Sequence, residues 1–445
     1  MNSQSSQSLD SFILQLESLV AEKTKRSMEM YKRALKVFPG GTTYHIRWFS
    51  PYPLFITKGK GSRVWDVDEN VYDDYWMGHG ALILGHSPDF VNEAVIEALK
   101  TGSHLGFENP YSLEYAELLT KIVPGLEKIR FTCSGTEANM YAIRLSRAYT
   151  GRRYVVKIEG GWHGGLDTLH LGVTPPFEGP ESLGLPEDFV KYTLSVPFND
   201  LHAIEDRLKK FDVAAVIIEP VPGAGGILEP EKDYLKGVRE LTEKYGSLLI
   251  FDEVITGFRL SLGGAQEYFG VKADIVTLGK IIGGGMPIGA VVSSAEIMKN
   301  LAPLGKVFNA GTFNAHPLAM AAGLATIEVL EEGETYTIAS AAAKAIAKAI
   351  EDAAQSVKLD IYVNQVESML TPFFNKHEVI DAKTARASNR ALYEKFHIEM
   401  LKRKVFVTPS QFEAIFTGLP IRGEVLDKVI EAVYGAFRSL GELSK

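Results

Sequence analysis

Apolar residues in the middle of this chain come in short, mostly unbroken runs with helical stretches between them. From about 75 to 320 the runs include Ile129-Arg130-Phe131, Tyr154 to Ile158, Ala214 to Ile218 and Ser247 to Phe251. Most are continuously apolar rather than alternating, which predicts a mostly parallel sheet covered on both faces. Upstream, Leu9 to about Val37 carries apolar residues at helical spacing (Phe12, Leu16, Leu19, Val20, Met28, Leu35), and Pro39-Gly40-Gly41 ends it. Leu54-Phe55-Ile56 and Val64 to Val67 read as two strands joined by the turn-rich Lys58-Gly59-Lys60-Gly61. After about 325 the pattern changes to Ala/Glu/Lys helices, with alanine-rich Ala341 to Ala354 as a strong helix former. Short strands follow around Met369 to Phe374 and Val405 to Val407.

These patterns predict three parts. Residues 1–75 form an N-terminal helix and small-domain strands, 76–325 a large α/β domain, and 326–445 a smaller α+β domain. Pro175 to Asp188, rich in proline and glycine, is expected to be a mobile loop near the site.

Composition adds limits. At 445 residues the chain can bury a large core. A net charge of −8 gives no electrostatic reason to expect nucleic acid or an anionic membrane as partner. Cys133 is the single cysteine, so no internal disulfide can form, and a cytoplasmic location is expected. The N-terminus lacks the basic start and apolar core of a signal peptide. No apolar run approaches the ~20 residues of a membrane span.

Four features carry chemistry, each at the end of a strand-like run, where open parallel sheets collect ligands. Lys280 follows the run from Ile275 to Gly279 and precedes Gly283-Gly284-Gly285. Asp252 ends the run from Leu248 to Phe251. A lysine and an acid so placed suit pyridoxal phosphate (PLP): the lysine forms a Schiff base with its aldehyde, and the acid pairs with its pyridinium nitrogen. Cys133-Ser134-Gly135-Thr136-Glu137 opens a helix and would cradle a phosphate; Ser134 or Thr136 would serve equally as a plain N-cap. Gly160-Gly161-Trp162-His163-Gly164-Gly165 offers an aromatic ring that can lie on a planar cofactor, or simply pack. Val254 would meet the other ring face.

These residues resemble the class III aminotransferases of PLP fold type I, in the branch near glutamate-1-semialdehyde 2,1-aminomutase. The similar strings are SGTEA at 134–138, Phe251 to Arg259, Gly263 to Gly270, TLGKIIGGG at 277–285, AGTFNAHPLAMAAG at 310–323 and PSQFEA at 409–414. The resemblance runs from about Pro39 to the C-terminus. It implies a large α/β domain with a mostly parallel seven-stranded sheet, a smaller α+β domain and PLP as cofactor. By position, Lys280 would hold the cofactor and shuttle a proton, and Asp252 would pair with the ring nitrogen. Ser134, Gly135 and Thr136 would hold the phosphate, with Trp162 stacked on the ring beside His163. Glu219 would lie near the phenolic oxygen. Thr312 would reach the phosphate of a neighbouring subunit, which implies a homodimer with shared sites. Arg47 would receive a substrate carboxylate, and Glu413 aligns with a substrate-pocket acid.

Two departures alter the pocket. The aminomutase pattern Ser-Pro-Val-Arg is Tyr44-His45-Ile46-Arg47 here, and its Gly-Ser-Trp-Gly is Gly78-His79-Gly80-Ala81. The segment Gly78-His79-Gly80-Ala81-Leu82 and an arginine at the Arg47 position instead resemble D-phenylglycine aminotransferase of the same branch. The expected activity is amino transfer from an amine or amino acid to a keto acid or aldehyde, with Tyr44 and His79 shaping the pocket. Intramolecular transfer yielding 5-aminolevulinate, racemisation and non-catalytic PLP binding are the alternatives. Arg47 could instead stack on Trp48, and His79 could be structural. No metal, nucleic acid or membrane partner enters this reading.

Overall fold

The computed structural model describes residues 17–442. Its largest sheet has seven strands: β1 (Lys128–Thr132), β2 (Tyr154–Ile158), β3 (Thr193–Val196), β4 (Val213–Ile218), β5 (Leu248–Glu253), β6 (Ile275–Gly279) and β7 (Gly289–Ser293). Their order is β1-β7-β6-β5-β4-β2-β3. Only β7 is antiparallel to its neighbours, β1 and β6; β2 to β6 pair in parallel.

The unbroken apolar runs follow from burial on both faces. Every residue of β4, β5, β6 and β7 is buried. Alternate residues point to opposite faces. Val216, Phe251 and Val276 join one apolar core, and Ala215, Ile217, Ile250 and Ile275 the other. The helix Gly135–Thr150 covers the second face with Ala138, Tyr141, Ala142 and Leu145. Helices Pro110–Ile122 and Pro317–Glu331 cover the first with Tyr115, Leu119, Met320 and Ile327.

Two smaller sheets flank this one. Ile56–Lys60, Arg63–Asp66 and Val71–Asp74 form an antiparallel meander, which Val405–Phe406 joins in parallel. Tyr362–Val366, Met369–Phe373 and Ile415–Phe416 form an antiparallel trio. The alanine-rich stretch lies inside the helix Glu334–Ser356.

Three expectations shift. The first strand begins at Ile56 and runs through the residues expected to turn, because Gly59 pairs with Val64 and the Lys58 ammonium lies 4.7 Å over the Trp65 ring. The N-terminal helical pattern divides at Thr24, whose hydroxyl donates to the Val20 carbonyl; its part before residue 17 lies outside the described residues. The 175–188 segment is anchored next to Glu181, whose carboxylate accepts the N–H groups of Val173 (2.6 Å) and Thr174 (2.7 Å). None of its residues lines the cavities described below.

Candidate active site

The carboxyl ends of β1, β2, β4, β5 and β6 surround one cavity of about 590 Å³. Asp252, near the end of β5, is 3% exposed. One of its oxygens accepts Asn139 Nδ2 (2.7 Å) and His163 Nδ1 (2.7 Å); the other accepts the Val254 N–H (3.1 Å). Asn139 Oδ1 accepts the Thr277 hydroxyl at 2.7 Å, which fixes which end of the amide faces Asp252. Burial pushes the His163 pKa down against the pull of Asp252. A neutral ring then places its one proton on Nδ1, and Nε2 is left buried without a partner among the described residues. Asp252 is thus a buried anion oriented by neutral donors.

Lys280 opens a 3₁₀ turn, Lys280–Gly283, in a left-handed conformation with φ 49°. A lysine held there stores roughly 1–2 kcal/mol of backbone strain. Burial lowers its pKa, while Glu413, Glu219 and Asp252 draw it back up. A buried amine whose pKa is lowered is better suited to attack a carbonyl than an exposed one.

At the far end, Ser134 caps the helix Gly135–Thr150, its Oγ accepting the Glu137 N–H at 3.2 Å. The first-turn N–H groups of Gly135 and Thr136 have no intrahelical partner, the arrangement that binds anions. A Cβ on Gly135 would approach Val254 to 2.7 Å, so only glycine leaves room here. Trp162 forms a side of the cavity, and its backbone N–H donates to Glu219 Oε1 at 2.9 Å. Glu219 Oε2 accepts the Gly223 N–H at 3.0 Å. Burial and Asp252 push the Glu219 pKa up; the two N–H donors and Lys157 hold it back.

A second cavity, about 260 Å³, adjoins at Lys280 and is walled by Tyr44, Arg47, His79, Glu413 and Phe416. His79 packs on Trp76 with ring centres 4.0 Å apart. Its Nδ1 lies 3.9 Å from Glu413. Burial, then the charges of Lys280 and Arg47, push its pKa down to about 4. At neutral pH it carries no charge, and that approach is no ion pair. Glu413 accepts Trp76 Nε1 at 3.4 Å, and burial raises its pKa. Arg47 donates to Thr43 Oγ1 at 2.9 Å. It does not use Trp48, whose indole donates to the Tyr31 hydroxyl.

The profile "Aminotransferase class-III" matches residues 44–374. The chain belongs to the class III aminotransferases. It is 47% identical to the glutamate-1-semialdehyde 2,1-aminomutase of Hyperthermus butylicus over 422 residues, 93% of this chain and 99% of that protein. Its fold is similar to an ω-transaminase from Sphaerobacter thermophilus (TM-score 0.88, 32% identity, 93% and 97% of the two chains). A transaminase with PLP bound is also similar (TM-score 0.87, 30% identity, 94% and 98%).

Within this aminotransferase the residues fit PLP: a helix N-terminus for a phosphate, a buried carboxylate in salt-bridge contact with no lysine or arginine among the described residues, and a buried lysine border one cavity. Ser134, Gly135, Thr136, Trp162, His163, Glu219, Asp252, Val254 and Lys280 all line it. Arg47, Tyr44, His79 and Glu413 meet in the second cavity. Thr312 is apart from both, on a separate groove with Phe107 and Leu113. The sequence reading missed Asn139, Trp76 and Lys157. Asn139 stands three residues after Thr136, and that helical spacing was the available signal. For Trp76 and Lys157, which act through contacts distant in sequence, no local signal exists.

Proposed function

We propose that this protein is a PLP-dependent aminotransferase that moves an amino group from an amine or amino acid to a keto acid or aldehyde. The meeting of Lys280, Asp252 and the helix N-terminus at Ser134 in one cavity carries this reading. When bound, PLP supplies an aldehyde for the amine and a ring that withdraws electrons. Asn139 and His163 hold the Asp252 carboxylate in place, and Asp252 would keep a proton on the ring nitrogen. Lys280 would hold the cofactor through its aldehyde carbon and would carry a proton at the substrate carbon on Nζ. Ser134, Gly135 and Thr136 would hold the phosphate, Trp162 and Val254 would cover the ring, and Glu219 would lie near the phenolic oxygen. Arg47 binds a substrate carboxylate at the pocket mouth. Thr312, absent from its own chain's cleft, completes the phosphate site of a partner in a homodimer.

The runner-up is glutamate-1-semialdehyde aminomutase, supported by the 47% identical relative. Tyr44 and His79 weigh against it, because they alter the pocket wall beside Lys280. One experiment separates the readings. The PLP-loaded protein is offered α-, β- and ω-amino acids and amines in both hands, and loss of PLP absorbance is followed. Amine-dependent bleaching that a keto acid reverses is the expected result. Conversion of glutamate-1-semialdehyde to 5-aminolevulinate without any acceptor, and no such bleaching, would establish the mutase. PLP bound but inert to every amine would refute both.

A further inference from the structure

Four consecutive residues beside the substrate pocket sit in the left-handed region: Met77 (φ 50°), Gly78 (61°), His79 (59°) and Gly80 (81°). Such a turn persists only where its surroundings impose it, the more so since Met77 and His79 carry side chains. Its leading edge is held by Asp74, whose carboxylate accepts the Trp76 N–H at 2.8 Å and the Met77 N–H at 3.2 Å. Its trailing edge is held by Arg259.

Arg259 is 1% exposed, and among the described residues its hydrogen bonds go to neutral acceptors. Nη2 donates to the Gly80 carbonyl at 2.5 Å. Nη1 donates to Ser368 Oγ at 3.1 Å and the Thr417 carbonyl at 3.4 Å. The guanidinium carbon lies 4.8 Å over the Phe416 ring, and Nε has no partner among the described residues. Gly80 in turn packs on Phe416; a Cβ there would come within 2.7 Å of the ring. The fork therefore joins the turn that presents His79 to the segment that presents Glu413 and Phe416, two walls of the same pocket. An apolar side chain would fill this space without the cost of desolvating a charge. What it would lack is the rigid planar set of donors that reaches three chain segments at once.

We propose that Arg259 is a positioning residue that clamps the left-handed turn Met77 to Gly80 against Phe416 and Thr417, and so sets the shape of the substrate pocket. The proposal rests on the Lys280 cleft being an aminotransferase centre. Its test uses Arg259→Lys and Arg259→Met in the PLP-loaded enzyme. Ser368→Ala, which removes one acceptor and keeps the charge, stands in if the arginine variants do not fold.

Loosened walls weaken substrate binding in ground and transition states alike, so KM for the amine should rise roughly tenfold while kcat stays within about threefold. Ser368→Ala should shift KM in the same direction by a smaller factor. Amide hydrogen exchange, followed with and without PLP, should quicken at 77–81 and 415–418 and nowhere else. Unchanged KM together with unchanged exchange overturns the clamp. So does a fall in kcat at constant KM, or exchange that quickens throughout the chain. If the unaltered enzyme reacts with no amine, the reading of the cleft fails instead, and the exchange pattern alone then decides whether Arg259 holds the turn.

Discussion

Asn139 ties three parts of the cofactor cleft together. Its amide nitrogen reaches Asp252 and the His163 carbonyl, and its oxygen receives the Thr277 hydroxyl. Replacing it with leucine, of similar size, removes all three bonds and leaves buried polar atoms unpaired, at about 1–3 kcal/mol for each group left unsatisfied. Asn139→Leu should therefore bind PLP more weakly and lower kcat by at least roughly tenfold, since Asp252 would lose a fixed direction toward the ring nitrogen. Equilibrium PLP titration and single-turnover absorbance would check both effects; wild-type values for each would show that His163 and Val254 suffice to aim the carboxylate. Lys280 and Asp252 were legible because each ends an apolar run, and a charged group in that position needs a partner or a task. His79 was legible only as a departure from a motif. Its neutrality depends on burial and on the charges of Lys280 and Arg47, which reach it from distant parts of the chain.

The segment that carries Trp162 and His163 is fastened from below by Lys157 of β2. That side chain is fully buried, and its Nζ donates to the carbonyls of Gly161 (2.9 Å), Leu169 (3.2 Å) and Leu171 (2.7 Å). Burial pushes its pKa down from 10.5 to about 8. Between those two values the unfolded chain holds a proton that the folded chain lacks, so this group makes the fold gain stability as pH rises through the window. Below it, the buried charge costs roughly 3 kcal/mol against its unfolded reference. Lys157→Met abolishes the titration and strips three carbonyls of their donor. Melting temperatures of the two proteins, measured from pH 8 to 10.5, should diverge in favour of the wild type as pH increases. A constant gap would mean that Lys157 keeps its proton in the fold across the whole window. Strand positions along the large sheet were readable from sequence because burial on both faces writes a continuous apolar run, as in β4 and β5. The strand Ile56–Lys60 was misplaced, since Gly59 and Lys60 look like a turn until cross-strand pairing with Val64 and Arg63 is known. The lysine beneath the loop breaks the apolar pattern of β2 at Lys157, and only three carbonyls supplied 4, 12 and 14 residues later explain it.

Beyond the clefts, several large apolar side chains are exposed. Phe107 is 86% exposed, Leu304 83% and Phe308 68%, and Leu113 and Phe313 are exposed with them. Phe107 and Leu113 line a groove of about 1160 Å³ together with Thr312. Large exposed side chains gathered around one depression mark a surface that another molecule covers. The proposed homodimer accounts for both observations: a second copy covers the groove, and Thr312 is delivered to the partner's phosphate cradle. Dissociation and cofactor loss should then be coupled, because anything that binds only the assembled state stabilises it by mass action. Phe107→Asp puts a charge where apolar area would be buried and should shift sedimentation toward the monomer at micromolar concentration. Wild-type protein should need less PLP for half-saturation than this variant, and added PLP should drive the variant partly back to dimer. Thr312→Ala, which leaves the apolar groove intact, should weaken PLP binding while the dimer persists. A monomeric Phe107→Asp protein with undiminished PLP affinity would contradict a shared phosphate site, and would leave each cleft complete within its own chain.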